Sequence, residues 1–423
     1  MKMNAYVAGV GMTNFGRMMD RGMKSTGGEA IEAAIADAGL EKGDIQAAWM
    51  SNAAAGVLTG QECIRGQVVL RGIGMGELPV VNVENACASA STAFNQACAM
   101  VTAGVYDVVL ACGVEKMYFE DKAKVFGAFM GAVDVDQLKA ILEGLQSSAA
   151  SSGAKEASRS AGQNRSMFMD IYAAAARGHM ARYGTTIEQF AMVSAKNAYH
   201  GSLNPRAQFR EAMTIDQVLA SPVIAEPLTR PMCSPIGDGA AAVVIVSERK
   251  RRELGLTAPV RVRSSVLRSG WDHPSGSDGL SELCSREAYE EADLGPGDLD
   301  LVELHDASAP AEIIGYESIG LCAKGEGGNL VASGATRLGG RIPVSTSGGL
   351  LRKGHPIGAT GLAQVVEITE QIQGRAGARQ VAAARVGLCH NGGGRMLPLS
   401  ASRSSRPARA VRCAPSTRWS WPT

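Results

Sequence analysis

Three residues in this chain sit in surroundings that side-chain chemistry explains better than packing does. Cys87 stands in Glu84-Asn85-Ala86-Cys87-Ala88-Ser89-Ala90, His355 in Gly354-His355-Pro356-Ile357-Gly358-Ala359-Thr360-Gly361, and Cys389 in Cys389-His390-Asn391-Gly392-Gly393-Gly394. A histidine set among glycines and a proline does not suit a helix interior or a central strand, so it reads as an imidazole presented on a fixed loop. The nearby Ser345-Thr346-Ser347-Gly348-Gly349-Leu350 is a second small-residue turn, which lets backbone approach a ligand closely. A nucleophilic thiol, an imidazole to take its proton and a second thiol are the parts of thiol-dependent acyl transfer.

Each of these residues also has a plainer reading. A single cysteine is usually an inert buried hydrophobe. Cys87 differs because it falls where the apolar run Val80–Val83 turns into a helix, and a helix start favours a thiolate. Cys389 reads plainly as a small residue at a strand end. His305, in Glu303-Leu304-His305-Asp306-Ala307-Ser308, follows an apolar strand and reads plainly as a hydrogen-bonded structural residue. Ser234, in the turn Cys233-Ser234-Pro235-Ile236-Gly237-Asp238-Gly239, is of a type that is mostly structural. His179, His200 and His273 lie outside any motif and are read as surface or structural, and the role of His390 is left open.

Taken together, the glycine-flanked histidine, the cysteine–glycine loop and the distant cysteine resemble the thiolase superfamily, specifically the sterol-carrier-protein-type thiolases, over roughly residues 1–394. The resemblance implies that Cys87 accepts the acyl group and His355 takes its proton. It implies that Cys389 moves the α-proton of a second acyl-CoA, a kind of acid–base help worth about 10²–10⁴-fold. His305 would hold the thioester oxygen of the enolising substrate, together with a bound water or His355. The backbone N–H groups of Cys87 and Asn391 would form the other oxyanion hole, and Ser234, Gly348 and Gly349 would contact coenzyme A. One departure is Ser308, which stands where relatives carry an aromatic residue. The expected activity is making or cleaving the carbon–carbon bond of a 3-oxoacyl-CoA, as an acetyl-CoA acetyltransferase-like enzyme. Ketosynthase relatives normally lack the second cysteine and aldolase-type relatives lose the nucleophile, so Cys389 and Cys87 speak against both. A carbon-acyltransferase on an aromatic or polyketide acceptor, and a non-catalytic subunit of a complex, are the alternatives.

The elements that must position these residues are α/β. Ala38–Gln46 is echoed by Ala292–Asp300, each after a helical pattern and before an apolar run, so two similar halves are expected. Strands are expected at Ala5–Val10, Val80–Val83 and Ala240–Val246 in the first half. In the second half they are expected at Val260–Val266, Leu301–Leu304 and Gln380–Val386. Alternation with helices predicts mixed or mostly parallel sheets covered on both faces. The resemblance implies the thiolase fold, an α/β architecture of αβαβα layers with an inserted loop domain. The expected division is 1–118 for the first half, completed by 216–256, then 119–215 for the insertion, 257–400 for the second half and 401–423 for a tail. Within the insertion, Asp136–Leu145 and Met167–Tyr183 read as helices, Met167, Phe168 and Met169 as local core, and Ser147–Gly162 as a solvated loop.

Composition narrows the class. The chain has 423 residues, 45% of them hydrophobic, and a formal net charge of +1, which offers no basic surface for nucleic acid. No window reaches the roughly 18 apolar residues of a membrane span, and the N-terminus lacks the apolar stretch of a secretory signal. Nine cysteines without a Cys-x-x-Cys pair predict reduced thiols in a cytoplasmic enzyme, with no metal and no cofactor beyond coenzyme A as substrate. The expected partners are acyl-CoA and CoA, a second copy or copies of the chain as homodimer or tetramer, and a small OB-fold accessory protein. From Arg395 onward no acidic residue occurs and six arginines do. Pro398 suits a central strand poorly, so this stretch reads as a replaced terminus, disordered and dispensable after Ser400.

Overall fold

Three segments, Ala47–Ser51, Val108–Glu115 and Gly239–Ser247, are buried almost without a break. This is the pattern of strands covered on both faces. The computed structural model describes residues 3–151, 165–256, 258–270 and 277–394. Its strands are β1 (Ala5–Met12), β2 (Ala47–Ser51), β3 (Val80–Val83), β4 (Val108–Glu115), the hairpin β5 (Val223–Ala225) and β6 (Leu228–Thr229), then β7 (Gly239–Ser247), β8 (Val260–Val262), β9 (Leu301–Glu303) and β10 (Gly387–Cys389). Six of them form one mixed sheet in the order β3-β2-β4-β7-β1-β8. The first three run parallel, and β7 lies antiparallel between β4 and β1.

Alternate residues of this sheet serve two cores. Val243 and Ile245 face the helices Ser89–Thr102 and Thr360–Ile372, packing with Ala93, Ala97, Leu362 and Val366. Val244 and Val246 face the helices Met23–Asp37 and Arg65–Gly72, packing with Ile31, Ala34, Val69 and Leu70. The helix Thr360–Ile372 also carries Ile368 onto Leu301 of β9, so it lies between two sheets. On the far side of β9, Val302 and Leu304 pack beneath Phe190 and Ile313 of the helices Ile187–Ser202 and Ala309–Ser318. The layers therefore follow the order helix, sheet, helix, sheet, helix.

The internal repeat is visible as structure. Each copy runs from a helix, Met23–Asp37 or Leu280–Ala292, into a short 3-10 turn and then a strand, β2 or β9. In each turn an aspartate accepts a backbone N–H from three residues earlier, Asp44 from Glu41 at 2.9 Å and Asp298 from Gly295 at 2.7 Å. The halves differ in their sheets, because β9 pairs only with β10 and, through one bridge, with Val344 among the described residues.

Several expectations are corrected. Gln380–Val386 is a turn, and the strand begins at Gly387. Ala383 has a φ of 53°, and the Asp300 carboxylate takes the N–H groups of Arg385 and Val386 at 2.8 and 2.9 Å, which removes them from any ladder. The run from Val260 is paired only to Val262, and it lies antiparallel to β1 at the edge of the first sheet. Ser147–Ser151 is not loop but the end of the helix Leu138–Ser151. The rest of that expected loop, His273 and the tail from Arg395 lie outside the described residues. The helix Met167–Tyr183 is as expected, with Met167 buried against Val133 and Ile141, Phe168 beside them and Met169 in the larger core. His179 and His200 are buried and paired: His179 contacts Thr185 and Glu317, and His200 contacts the Ser345 carbonyl and the Leu338 N–H. Ser308, in the position of an expected aromatic residue, caps the helix Ala309–Ser318 by accepting the Ala311 N–H at 3.3 Å.

Candidate active site

Loops leaving the carboxyl ends of parallel strands are where open α/β sheets hold their ligands. The chain follows that rule here. β3 leads into Cys87, β9 leads into His305, and its parallel neighbour β10 ends on Cys389. The turn at Cys87 is fixed by its neighbours. Ser89 accepts the Asn85 N–H at 2.8 Å and donates to the Ala86 carbonyl at 2.6 Å, while Ala86 takes the left-handed conformation with φ 44°. A positive φ on alanine is sparsely populated and persists only where the surroundings hold it.

The structure brings Cys87, His305 and His355 together. One ligand atom from each lies within 4.8 Å of the other two, and the two imidazole rings meet edge to face with centroids 5.2 Å apart. Cys389 does not belong to this cluster. It lies opposite Glu303 in the β9–β10 register and is exposed to solvent. Cys87 is half-buried against an apolar group that includes Met117, Phe119, Phe129 and Ile236.

Burial governs the charge states. It pushes the Cys87 thiol up to about 12, with the Glu115 carboxylate adding to the effect, and N–H groups of Cys87 itself and Gly394 only partly offset it. The helix-start argument for a resting thiolate is thereby corrected: desolvation outweighs the local dipoles, and the resting thiol keeps its proton. Burial also lowers His355 to about 3, helped by the Lys353 charge, and holds His305 well below the usual imidazole range. Both rings are neutral at physiological pH. Water reaches Cys389, although the protein around it and the Glu303 carboxylate hold its thiol above the ordinary value.

Hydrogen bonds orient the His355 ring. Its Nδ1 meets Thr360 Oγ1 at 2.8 Å, and that hydroxyl donates to the Pro356 carbonyl at 3.0 Å. Thr360 has one hydrogen and the carbonyl only accepts, so His355 Nδ1 carries the ring proton and Nε2 keeps its lone pair. A neutral imidazole with a free Nε2 beside a thiol is suited to take its proton.

Two groups that the motifs did not reveal hold this arrangement. Glu115, at the end of β4 and 1% exposed, accepts the N–H groups of Ala53, Ala54 and Gly358 at 3.0, 3.1 and 2.9 Å and the Asn52 side-chain amide at 2.8 Å. Ser51 Oγ donates to the Gly358 carbonyl at 2.7 Å, so the histidine loop is held through both polar groups of one glycine. Gln364, fully buried, donates to the carbonyls of Leu304 and His390 at 3.0 and 3.1 Å and joins the two loops that follow β9 and β10. A glutamate inside an apolar strand and a glutamine inside a helix are the only sequence signals for them.

The remaining expected site residues are placed as follows. Ser234 lies beside the His305 loop, its N–H donating to the Ala307 carbonyl at 3.0 Å. Gly348 and Gly349 are buried, and their missing side chains make room for protein: Gly201 approaches Gly348, and the Asp306 carboxylate approaches Gly349 while accepting the Leu350 N–H at 2.7 Å. Asn391 turns its side chain to His305 Nδ1 at 3.3 Å, whereas the N–H groups at the Cys87 sulfur are those of Cys87 and Gly394.

Comparison with known proteins bears on this geometry. Residues 5–249 match the family model for the thiolase N-terminal domain, and residues 280–401 match the thiolase C-terminal domain-like model. An acetyl-CoA acetyltransferase from Methanothermobacter thermautotrophicus is 40% identical over 92% of this chain and 96% of its own length. Benzoylsuccinyl-CoA thiolase subunit BbsB from Thauera aromatica is 35% identical over 96% of this chain and 98% of its own. Among solved structures, the Ltp2-ChsH2(DUF35) aldolase superposes with a TM-score of 0.71 at 26% identity, covering 92% of this chain and 95% of that one.

Proposed function

The chain belongs to the thiolase family, and on that premise we propose that it is an acyl-CoA acyltransferase that makes or cleaves the carbon–carbon bond of 3-oxoacyl-CoA through an acyl group on Cys87. The observation that carries this reading is the meeting of one thiol with two neutral imidazoles beside an apolar group of side chains.

The chemistry runs in two halves. His355 Nε2 takes the Cys87 proton as the sulfur attacks the thioester carbon, and the oxygen becomes an oxyanion. When the carbonyl reforms, CoA leaves as a thiolate and takes the proton from His355, giving acyl-Cys87 and free CoA. Cys389, in its thiolate form, which is the minor form at neutral pH because desolvation raises its pKa, then removes an α-proton from a second acyl-CoA, with His305 holding the enolate oxygen. The carbanion attacks the acyl carbon, and the new carbon–carbon bond forms as the thioester bond to Cys87 breaks. The departing Cys87 sulfur receives the proton that Cys389 had taken, so Cys87 is again a thiol and Cys389 again a thiolate. Thiolysis is the same path reversed. Each preorganised oxyanion donor is worth about 2.7–4 kcal/mol.

Coenzyme A would run past Ser234. The name of the aldolase structure and the word subunit in that of the Thauera relative support an accessory protein as partner. Assembly as homodimer or tetramer, a cytoplasmic place and a role in lipid and fatty acid metabolism belong to the same proposal. No helix among the described residues is long and apolar enough to cross a membrane. The testing experiment is a thiolysis assay over short, medium and long 3-oxoacyl-CoAs. Turnover of at least one of them, lost in Cys87→Ala, is expected, and no turnover of any with CoA present would overturn the reading.

A further inference from the structure

Gln364 lies one helical turn beyond Thr360 on the helix Thr360–Ile372, and residues four apart share a helix face. Thr360 sets the proton of His355. Gln364 stands at the start of a chain of bonds that ends on His305. Its Nε2 spends both hydrogens on the backbone carbonyls of Leu304 and His390, at 3.0 and 3.1 Å. Carbonyls only accept, so the amide cannot be turned over. Its Oε1 is left to accept Asn391 Nδ2 at 3.4 Å, which fixes the Asn391 amide in turn. The other hydrogen of Asn391 Nδ2 reaches His305 Nδ1 at 3.3 Å. A ring nitrogen that accepts carries no proton, so the proton of neutral His305 lies on Nε2.

We propose that Gln364 is a positioning residue which, through the Asn391 side chain, fixes His305 as the Nε2–H tautomer and so makes it a hydrogen-bond donor to substrate. Two neighbouring histidines of the same chemical type are thereby given opposite roles. His355 keeps its Nε2 lone pair for the Cys87 proton, and His305 points an N–H at the oxygen where charge develops. Without that restraint the His305 ring could adopt either tautomer, and a lone pair facing an enolate oxygen would repel it. The assignment of His305 to substrate rests on the proposed thiolase reaction, whereas the tautomer itself does not.

The test is long-range ¹H–¹⁵N NMR of the full chain labelled with ¹⁵N-histidine, with His305 identified by its loss in His305→Asn, paired with α-proton exchange of acyl-CoA. In the parent protein the His305 proton is expected on Nε2 alone. Gln364→Met should give a mixture of tautomers. Asn391→Asp, whose carboxylate only accepts, should place a proton on Nδ1, and above the titration of that ring α-proton exchange should fall at least about 100-fold, the range for one oxyanion donor. If Asn391→Asp does not fold, the Gln364→Met spectrum decides. A proton on Nδ1 in the parent, or on Nε2 alone in every variant, would overturn the proposal. A correct tautomer in a protein without α-proton exchange would instead refute the thiolase reaction and leave the tautomer assignment standing.

Discussion

At the sulfur of Cys87 the balance between burial and local dipoles decides the resting chemistry. The thiol is held up at about 12 by burial and by Glu115, and His355 is held down at about 3 by burial and by Lys353, so neither carries charge near pH 7. A resting thiolate–imidazolium pair would give an alkylation rate that levels off near neutrality. The expected result here is different: the rate at which iodoacetamide labels the Cys87 peptide should keep rising from pH 6 to pH 10 without a plateau. Peptide mapping separates this label from that on the exposed Cys63 and Cys389. The two thiols of the proposed reaction separate by the step each would serve. Cys389→Ala should still accept an acyl group on Cys87 while losing condensation and α-proton exchange by about 10²–10⁴-fold, and unchanged condensation in that variant would remove Cys389 from the mechanism. The meeting of Cys87, His305 and His355 was foreshadowed in the sequence because each sits beside glycine, proline or a strand end, whereas the role of Cys389, outside that cluster, rests on the proposed reaction. Their protonation states were not, since these depend on Glu115, Lys353 and burial that no local motif encodes.

Between elements, the same loop is held by contacts that only the fold creates. Gly361 lets the helix Thr360–Ile372 approach the helix that follows Cys87, and a Cβ at that position would run into Ser91, 2.7 Å from its backbone nitrogen. Gly361→Ala should therefore lower stability by about 1–3 kcal/mol through overpacking and reduce acylation, measured by denaturant unfolding and acyl-enzyme formation. Glu115 is the other support. Glu115→Gln keeps the volume but puts an amide N–H₂ where donors already point, so a loss of about 1–3 kcal/mol is expected for the donors left unsatisfied. Burial raises the Glu115 carboxyl to about 7. A raised carboxyl means the folded state holds its proton more tightly, so this contribution is complete below the unfolded value of about 4.3 and is lost as pH rises through 7. The Gln variant should lack that part of the pH dependence, and an unchanged stability profile between pH 4 and 8 would contradict it. Gln380–Val386 shows why element boundaries escaped the sequence: its apolar spacing suits a strand, yet the Asp300 carboxylate claims two of its N–H groups and makes a turn.

Across the whole molecule, the repeat of helix, 3-10 turn and strand was readable because both copies keep an aspartate at the same offset, Asp44 and Asp298. The unequal sheets were not, because strand partners are chosen by distant segments: β8 joins β1, and the helix Thr360–Ile372 from the second half packs on the sheet of the first. That crossing carries functional weight, since Thr360 and Gln364 on this helix reach His355 and the His305 loop while Leu362 and Val366 bury against the first sheet. The site is thus assembled from both halves, and its central claim is that the assembly makes Cys87 an acyl carrier. The most direct measurement is intact mass and peptide mapping of the full chain after brief incubation with acetyl-CoA. One acetyl group per chain is predicted, on the peptide containing Cys87, removed by added CoA and absent from Cys87→Ala. No covalent adduct, or an acetyl group confined to Cys389 or another cysteine, would contradict the account.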